Sequence, residues 1–148
     1  LDTVISLHSQ SENIKFERDF QNPEAQVFMD KDQLLRIFTN IIKNAIQAIP
    51  EERGGIINAR IISRNNRAII EIRDNGKGIS EEIAPKIFSP YFSTKSSGMG
   101  IGLSMCKKMA EASNGSISFD SKIDEYTVFR IDLPLLIKGT NNIGQGVN

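Results

Sequence analysis

Two asparagines, Asn40 and Asn44, lie four residues apart in a segment with a helical pattern of apolar residues. That spacing places both carboxamide groups on one face of a helix, one turn apart. Carboxamide oxygens are neutral ligands that suit Mg²⁺, which keeps most of its remaining positions for water and phosphate oxygens. The pair is therefore a candidate site for a hard cation such as Mg²⁺. The alternative is an ordinary solvent-facing side of a helix.

A glycine-rich turn, DNGKGI at residues 74–79, directly follows a strand-like run. Its glycines, Gly76 and Gly78, allow the chain to turn sharply and bring backbone close to a flat ligand. As an isolated tetrapeptide, Asp-Asn-Gly-Lys is typical of a β-turn. The position after a strand favours a binding loop over a simple connection.

A second glycine-rich segment, GMGIGL at residues 98–103, opens a predicted helix. The free amides and the positive end of a helix dipole favour an anion, and glycines let a phosphate approach closely. The GxGxG spacing lacks a preceding strand and a βαβ unit, so it does not match the dinucleotide fingerprint. It predicts triphosphate binding by Gly98, Gly100, Ile101, Gly102 and Leu103.

Aromatic residues dominate the segment between these two glycine-rich motifs. Phe88, Tyr91 and Phe92 precede Lys95, whose point charge could reach a phosphate. The aromatics could hinge a nucleotide lid onto the core, but simple core packing is the expected role of Phe88 and Phe92. Only two serines separate Lys95 from Gly98, which predicts a short lid in a mobile loop.

Periodicity and turn residues predict the elements that position these motifs. One helix begins at Asp30, which forms a capping-box pattern with Gln33, and ends at Pro50. Other helices are predicted at residues 80–87 and 99–113. Strands are predicted at residues 4–7, 14–20, 56–63, 68–73, 116–121 and 127–133, with a hairpin loop at 64–67. This order predicts an α/β (α+β) two-layer sandwich, a mostly antiparallel sheet covered on one face by helices.

The helix that begins at Asp30 has a core side and a polar side. The residues predicted to face the core are Leu34, Phe38, Ile41, Ala45, Ala48 and Ile49. The polar side carries Asn40, Asn44 and Gln47, flanked by Arg36 and Lys43. On the helix at 99–113, the inward residues are Leu103, Cys106, Met109 and Ala110.

The composition argues for one domain without a general affinity for anions. The chain has 148 residues, and 18 basic residues balance 18 acidic ones, so no broad charge favours nucleic acid or an anionic membrane surface. No apolar run reaches the roughly 20 residues that span a bilayer. The one cysteine, Cys106, indicates a buried thiol in a reducing compartment. We expect a domain at residues 1–137, in which 1–13 hold the end of a linker and the first strand. Residues 138–148 are expected to be a disordered tail or a cloning remnant.

Four motifs follow one another along the chain: NIIKNA at residues 40–45, DNGKGI at 74–79, IFSPYFSTK at 87–95 and GMGIGLS at 98–104. In their order and spacing they resemble the ATP-binding catalytic domain of sensor histidine kinases. This domain belongs to a superfamily that also holds gyrase, Hsp90 and MutL. The resemblance covers roughly residues 14–135. Within the family, the chain most resembles the nitrogen-regulation type of kinase. It implies the Bergerat ATP-binding fold, with ATP and Mg²⁺ as ligands.

The resemblance also implies roles for individual residues. Asn44 is expected to ligate Mg²⁺, and Asn40 occupies the place of the glutamate general base in ATP-hydrolysing relatives. Asp74 is expected to accept a hydrogen bond from the adenine amino group, with Ile79 against the ring. Thr127 matches a threonine that helps to hold adenine.

Two departures from the family pattern bear on these roles. Tyr126 precedes Thr127 where many relatives have glycine, which questions the role of Thr127. Gln47 stands where many relatives place a basic phosphate contact, and Lys43 is the candidate to replace it.

The implied reaction is transfer of the γ-phosphate to a histidine on an adjacent dimerisation domain, and from there to an aspartate of a response regulator. The one histidine, His8, lacks the acidic neighbour of the family's acceptor motif, so the acceptor is expected outside this chain. We expect this chain to be a cytoplasmic module of a longer parent protein. That parent can be an inner-membrane receptor. The alternatives are a serine kinase or ATPase of the same superfamily and a nucleotide-binding module without transfer activity.

Overall fold

The computed structural model describes residues 1–9, 13–94 and 100–136. Within these ranges the chain forms three α-helices, five strands and one turn of 3₁₀ helix at Ala84–Lys86. In chain order, the elements are α1 at Asp2–His8, β1 at Ile14–Phe20, α2 at Lys31–Ala48, β2 at Gly55–Arg64, β3 at Arg67–Asp74, α3 at Gly102–Ala112, β4 at Ser116–Lys122 and β5 at Tyr126–Pro134.

The five strands form one sheet in the order β1-β2-β3-β5-β4. Strands β1 and β2 are parallel because α2 crosses between them, and every other neighbouring pair is antiparallel. The helices pack on one face, where α2 contacts β2 and β3, and α3 contacts β4 and β5. The predicted two-layer sandwich with a mostly antiparallel sheet is confirmed.

The sheet has one face toward the helices and one toward solvent. Every second residue of β3 from Ala68 to Asp74 is buried, as are the facing residues of β5 from Thr127 to Leu133. Successive side chains of a strand point to opposite faces, so the residues between them lie on the outer face. That outer face carries charged pairs, among them Arg130 with Glu71 and Arg67 with Asp132.

Helix α2 begins as the capping pattern predicts. The Asp30 side chain accepts hydrogen bonds from the amides of Asp32 and Gln33, both at 3.0 Å. The buried arc is wider than predicted, because Ile37 and Ile42 are fully buried as well. Helix α2 packs against α1, α3 and the sheet, so three neighbours cover its surface. The predicted core residues Phe38, Ile41, Ala45 and Ile49 are buried, whereas Leu34 and Ala48 are only partly so.

The β2–β3 hairpin is tighter than its predicted four-residue loop. The strands continue to Arg64 and Arg67, which leaves Asn65 and Asn66 as a two-residue turn. Both asparagines have positive φ, 51° and 58°. Asparagine tolerates this conformation, and two such residues match the twist of flanking strands.

The strand predicted at residues 4–7 is wrong, because these residues lie in α1. Val4 and Ile5 are buried, while Leu7 is 72% exposed. The run is too short for periodicity to separate strand from helix, and packing against α2 decides the outcome. His8 also lies on this helix, where its Nδ1 pairs with the Val4 carbonyl at 2.8 Å.

Two predicted helices are shorter than expected. The helix at 80–87 is reduced to the 3₁₀ turn at Ala84–Lys86, which contains Pro85 and precedes Pro90 by a few residues. The helix predicted at 99–113 begins only at Gly102 and ends at Ala112. Among the described residues, no helix combines the length and apolar character that crossing a bilayer requires.

Candidate nucleotide-binding site

Asp74 is the last residue of β3 and one of the few buried polar residues in the described part of the chain. It is 3% exposed, as is Thr127, its ladder partner on β5. Its Oδ1 accepts a hydrogen bond from the Gly76 amide at 2.8 Å. Burial raises the pKa of Asp74 from 3.8 to about 6, although the amides of Gly76 and Thr127 oppose that rise. A buried carboxyl with a perturbed pKa is a feature that functional sites share.

Ser121 connects Thr127, the ladder partner of Asp74, to Ile79 at the end of the DNGKGI turn. Its hydroxyl donates to the Tyr126 carbonyl at 2.8 Å and accepts from the Ile79 amide at 2.8 Å. It also lies 2.9 Å from Oγ1 of Thr127. Sequence reasoning missed Ser121. A signal was available, since Ser121 continues the inward-facing series Ile117 and Phe119 of β4 with a polar residue.

Tyr126 does not disturb the pocket side of Thr127. Its ring lies on the outer face, where the guanidinium of Arg73 is 3.9 Å from the ring centroid. Its hydroxyl donates to Asp120 at 3.0 Å. Because neighbouring residues of a strand point to opposite faces, the larger side chain at 126 leaves Thr127 beside Asp74.

The loop at residues 75–78 requires both of its glycines. A Cβ on Gly76 would lie 2.5 Å from the Ala48 carbonyl oxygen and 2.8 Å from Oδ1 of Asp74. Gly78 has φ +71°, and a Cβ there would lie 2.4 Å from the Lys122 carbonyl oxygen. The loop therefore lies tightly between the end of α2 and the end of β4.

Asn40 lies where α2 meets α3. Its Nδ2 donates to the Arg36 carbonyl at 2.9 Å, and its side chain also forms a hydrogen bond with the Cys106 thiol. A Cβ on Gly102 would be 2.7 Å from Oδ1 of Asn40, so the two helices approach closely here. Burial raises the pKa of Cys106 to about 11, which keeps this thiol protonated.

Helix α2 connects the 75–78 loop beside Asp74 to the polar helix face that carries Asn44. Asn44 is half-buried one turn beyond Asn40, and Lys43 beside it is exposed. One further turn leads to Ala48, whose carbonyl accepts from the Lys77 amide of the 75–78 loop at 2.9 Å. Four residues of helix span about 6 Å, so Asn44 lies about that far along the axis from the loop contact.

The start of α3 has the form expected of an anion site. Gly100 has φ +70°, and a Cβ there would lie 2.5 Å from the Phe92 carbonyl oxygen. Ile101 caps the helix without a side-chain hydrogen bond, so no capping side chain satisfies the amides of the first turn. Ile101 and Leu103 are half-buried beside these glycines.

The structure separates the aromatic residues by role. Phe88 packs edge-on against Phe119 and Phe129, with centroids 5.9 and 6.4 Å apart, which agrees with core packing. Tyr91 is 83% exposed. The predicted phosphate contacts Lys95 and Gly98, and most of the loop that the sequence predicts to be mobile, lie outside the described residues.

Comparison with known proteins identifies the class to which this fold and site belong. Residues 29–137 match the family described as histidine kinase-, DNA gyrase B- and HSP90-like ATPases. The catalytic domain of the histidine kinase ThkA is 30% identical, with a TM-score of 0.80 over 90% of this chain and 88% of that one. The chain therefore belongs to this family, as a catalytic domain of the histidine kinase type.

Full-length relatives include sporulation kinase C of Bacillus subtilis, 31% identical over 90% of this chain. The sensory histidine kinase/phosphatase NtrB of Azospirillum brasilense is 32% identical over 83% of this chain, in agreement with the predicted likeness to the nitrogen-regulation type. The chain spans only about a third of each relative, 31% and 34% respectively.

Proposed function

We propose that this domain binds Mg²⁺·ATP and donates the γ-phosphate to a histidine on a dimerisation domain of the same parent protein. A response regulator then receives the phosphate. The observation that supports this most is the path along α2. It joins the buried carboxyl region at Asp74 to the polar helix face at Asn44 and to the open start of α3. The adenine ring, the magnesium ion and the triphosphate of Mg²⁺·ATP together need such an extended site.

At the base end, Asp74 accepts a hydrogen bond from the 6-amino group of adenine. An oxo group at the same position, as in guanine, would present a lone pair to the carboxylate, so the site favours ATP over GTP. Gly76 and Gly78 shape the loop, and Ile79 contacts the ring. Thr127, next to Asp74 in the ladder, supplies a further hydroxyl near the ring.

At the phosphate end, the half-buried carboxamide of Asn44 fits a hard cation as a neutral oxygen ligand. When bound, Mg²⁺ neutralises charge on the phosphate oxygens. The triphosphate is held by the amides of Gly100 and Gly102 at the start of α3. Lys43, Lys95 and Gly98 provide its further contacts. Phosphoryl transfer requires positioning and charge stabilisation more than covalent work by the protein.

Asn40 favours transfer to another group over hydrolysis by water. A carboxamide cannot take a proton from water, and the Asn40 side chain already interacts with the Arg36 carbonyl and the Cys106 thiol. In this proposal Asn40 orders the phosphate end and leaves water without a general base. Steady ATP hydrolysis by the isolated domain would contradict this and favour an ATPase or a serine kinase.

The first test is calorimetric titration with a non-hydrolysable ATP analogue, with and without Mg²⁺. Asp74→Asn is expected to weaken binding about 10- to 100-fold, the loss typical of a hydrogen bond to a buried charge. Asn44→Ala is expected to remove most of the Mg²⁺ dependence. The matched controls Asp32→Asn and Asn22→Ala change exposed residues and should leave binding unchanged. No binding by the wild type under any condition would overturn the proposal.

The second test follows the phosphate. The domain is mixed with a separately produced dimerisation domain and γ-labelled ATP, and the labelled product is treated with acid and with base. We expect an acid-labile, base-stable phosphohistidine on the dimerisation domain. An acid-stable label on serine would overturn the histidine assignment and leave nucleotide binding intact.

A further inference from the structure

The 75–78 loop is held from two sides by residues distant in sequence. On one side, the Asn75 side chain donates to the Gly54 carbonyl at 2.9 Å and accepts from the Ile56 amide at 2.8 Å. On the other, the Lys77 carbonyl accepts from the Asp124 amide at 2.8 Å. Asp124 belongs to the β4–β5 turn, residues 123–125. The loop that follows Asp74 is thus positioned by the start of β2 and by the β4–β5 turn.

One side chain, Arg53, contacts both the loop and the turn. Its Nη1 donates to the carbonyls of Asn75 at 2.7 Å and Gly76 at 3.0 Å, and to the carbonyl of Asp124 at 3.3 Å. Arg53 is half-buried and lies in the turn after α2, where its amide donates to the Pro50 carbonyl at 3.0 Å. A guanidinium suits this task because it presents several fixed donors and stays charged.

Arg53 differs from the arginines of the outer sheet face in its partners. Arg60, Arg67 and Arg130 each pair with a carboxylate. None of the salt bridges formed within the described residues includes Arg53. Its charge is directed at backbone carbonyls, and hydrogen bonds to an ionised donor are stronger than those between neutral groups.

We infer that Arg53 is a positioning residue for adenine recognition. By holding the carbonyls of Asn75 and Gly76, it fixes the peptide whose amide donates to Oδ1 of Asp74. That contact orients the carboxyl that accepts from the 6-amino group. This inference rests on the proposed function, because it assigns the residue that sets the geometry of the base end of that site.

Adenine recognition and phosphate binding are expected to respond differently to a change at Arg53. Arg53→Gln is expected to weaken the binding of ATP and of ADP about tenfold each. The ATP to ADP affinity ratio should stay at the wild-type value, because the hydrogen bonds of the Arg53 side chain go to the 75–78 loop and the β4–β5 turn and not to the phosphate end of the site. The advantage of ATP over an analogue whose purine lacks the 6-amino group should shrink. A general loss of stability would not produce this pattern.

The experiment titrates the wild type, Arg53→Gln, Arg53→Lys and the control Arg64→Gln with non-hydrolysable ATP, ADP and the 6-deamino analogue. Arg64 is an exposed arginine at the far end of β2 and should behave as wild type. Arg53→Lys keeps the charge with a shorter reach, so it is expected to recover part of the affinity. Unchanged binding in Arg53→Gln, or a changed ATP to ADP ratio, would overturn the inference.

Amide hydrogen exchange in the nucleotide-free protein tests the same contact without any ligand. In Arg53→Gln, the amides of Lys77 and Asp124 should exchange about tenfold faster, while the core amide of Ile131 keeps its rate. If the wild type binds no nucleotide, the proposed function fails, and exchange still decides whether Arg53 holds the loop. Unchanged exchange would overturn that role, and Arg53→Lys provides the measurement if Arg53→Gln does not fold.

Discussion

Strands β3 and β5 carry polar residues on both faces of the sheet, and the two faces treat them differently. On the outer face, Glu71 and Arg130 pair at 2.7 Å, with side chains 24% and 43% exposed. On the inner face, Asp74 and Thr127 are 3% exposed, and Asp74 takes part in none of the salt bridges of the described residues. Water stabilises the outer charges, whereas the inner carboxyl has lost its water without gaining a salt bridge; only the more distant charge of Arg73 acts on it.

The difference separates polar residues that water solvates from a buried carboxyl that has a use only when a ligand binds. Exposed ion pairs contribute little to folding, so their loss has small effects. A buried carboxyl without a cation costs folding free energy, because burial disfavours its charged form. Its presence is understandable where a ligand supplies the missing partner. The comparison predicts large effects for changes on the inner face and at its loop, and small ones outside.

The largest effect is expected at Gly78, where the inner-face loop meets the end of β4. Gly78→Ala combines a positive φ with a Cβ only 2.4 Å from a backbone oxygen that cannot move independently. We expect a loss of about 4 kcal/mol in the free energy of unfolding, measured by urea denaturation. Gly54→Ala is the matched control, because nothing lies within 4 Å of its Cβ. A tolerated Gly78→Ala would mean that the loop is not fixed by β4.

The second effect concerns Asp74 and has the opposite sign. The raised pKa, about 6 instead of 3.8, means that the ionised carboxyl destabilises the folded domain at neutral pH. Asp74→Asn should therefore stabilise the nucleotide-free domain by up to about 3 kcal/mol while weakening nucleotide binding. The control is Asp120→Asn, on the outer face of β4. Destabilisation by Asp74→Asn would contradict the contrast between the faces.

The pH dependence of stability follows from the same shift. Between about pH 4 and pH 6 the folded state holds a proton on Asp74 that the unfolded state has lost. The contribution of Asp74 to the free energy of unfolding therefore falls as the pH rises through this window and is level on either side. Denaturation of the wild type and Asp74→Asn across this range should show a difference that grows with pH up to about 6.

A third, smaller effect is expected at Ser121. Ser121→Ala removes the acceptor of the Ile79 amide and the donor to the Tyr126 carbonyl. We expect a cost of about 2 kcal/mol in unfolding free energy, because half-buried polar groups lose their partner. Ser118→Ala changes an exposed serine on the outer face of the same strand and should cost little. Equal effects of the two changes would remove the contrast.

The smallest effect is expected on the outer face. Glu71→Gln removes a charge from a partly exposed pair and should change the unfolding free energy by less than about 1 kcal/mol. Raising the salt concentration should reduce even this difference. The measurement is again urea denaturation, at low and high salt. A larger loss would show that the outer charges contribute cooperatively to the sheet.

The sequence by itself determined the local features of this domain. The Asp30 cap, the ends of α2, the β2–β3 hairpin and the alternation of β3 depend on residues within a few positions of one another. Local propensity and periodicity encode such features directly. The order of the predicted elements indicated the fold class, and the resemblance of the four motifs indicated the family. Their individual roles in binding stay predictions.

Only the tertiary structure decided what depends on distant neighbours. Arg53 contacts carbonyls 22, 23 and 71 residues away, and nothing in its local sequence distinguishes it from other arginines of the chain. Ser121 gains its role from Ile79, 42 residues away. Residues 2–8 became a helix because α2 covers Val4 and Ile5. In each case the deciding energy comes from burial and hydrogen bonds between elements, which a local pattern does not contain.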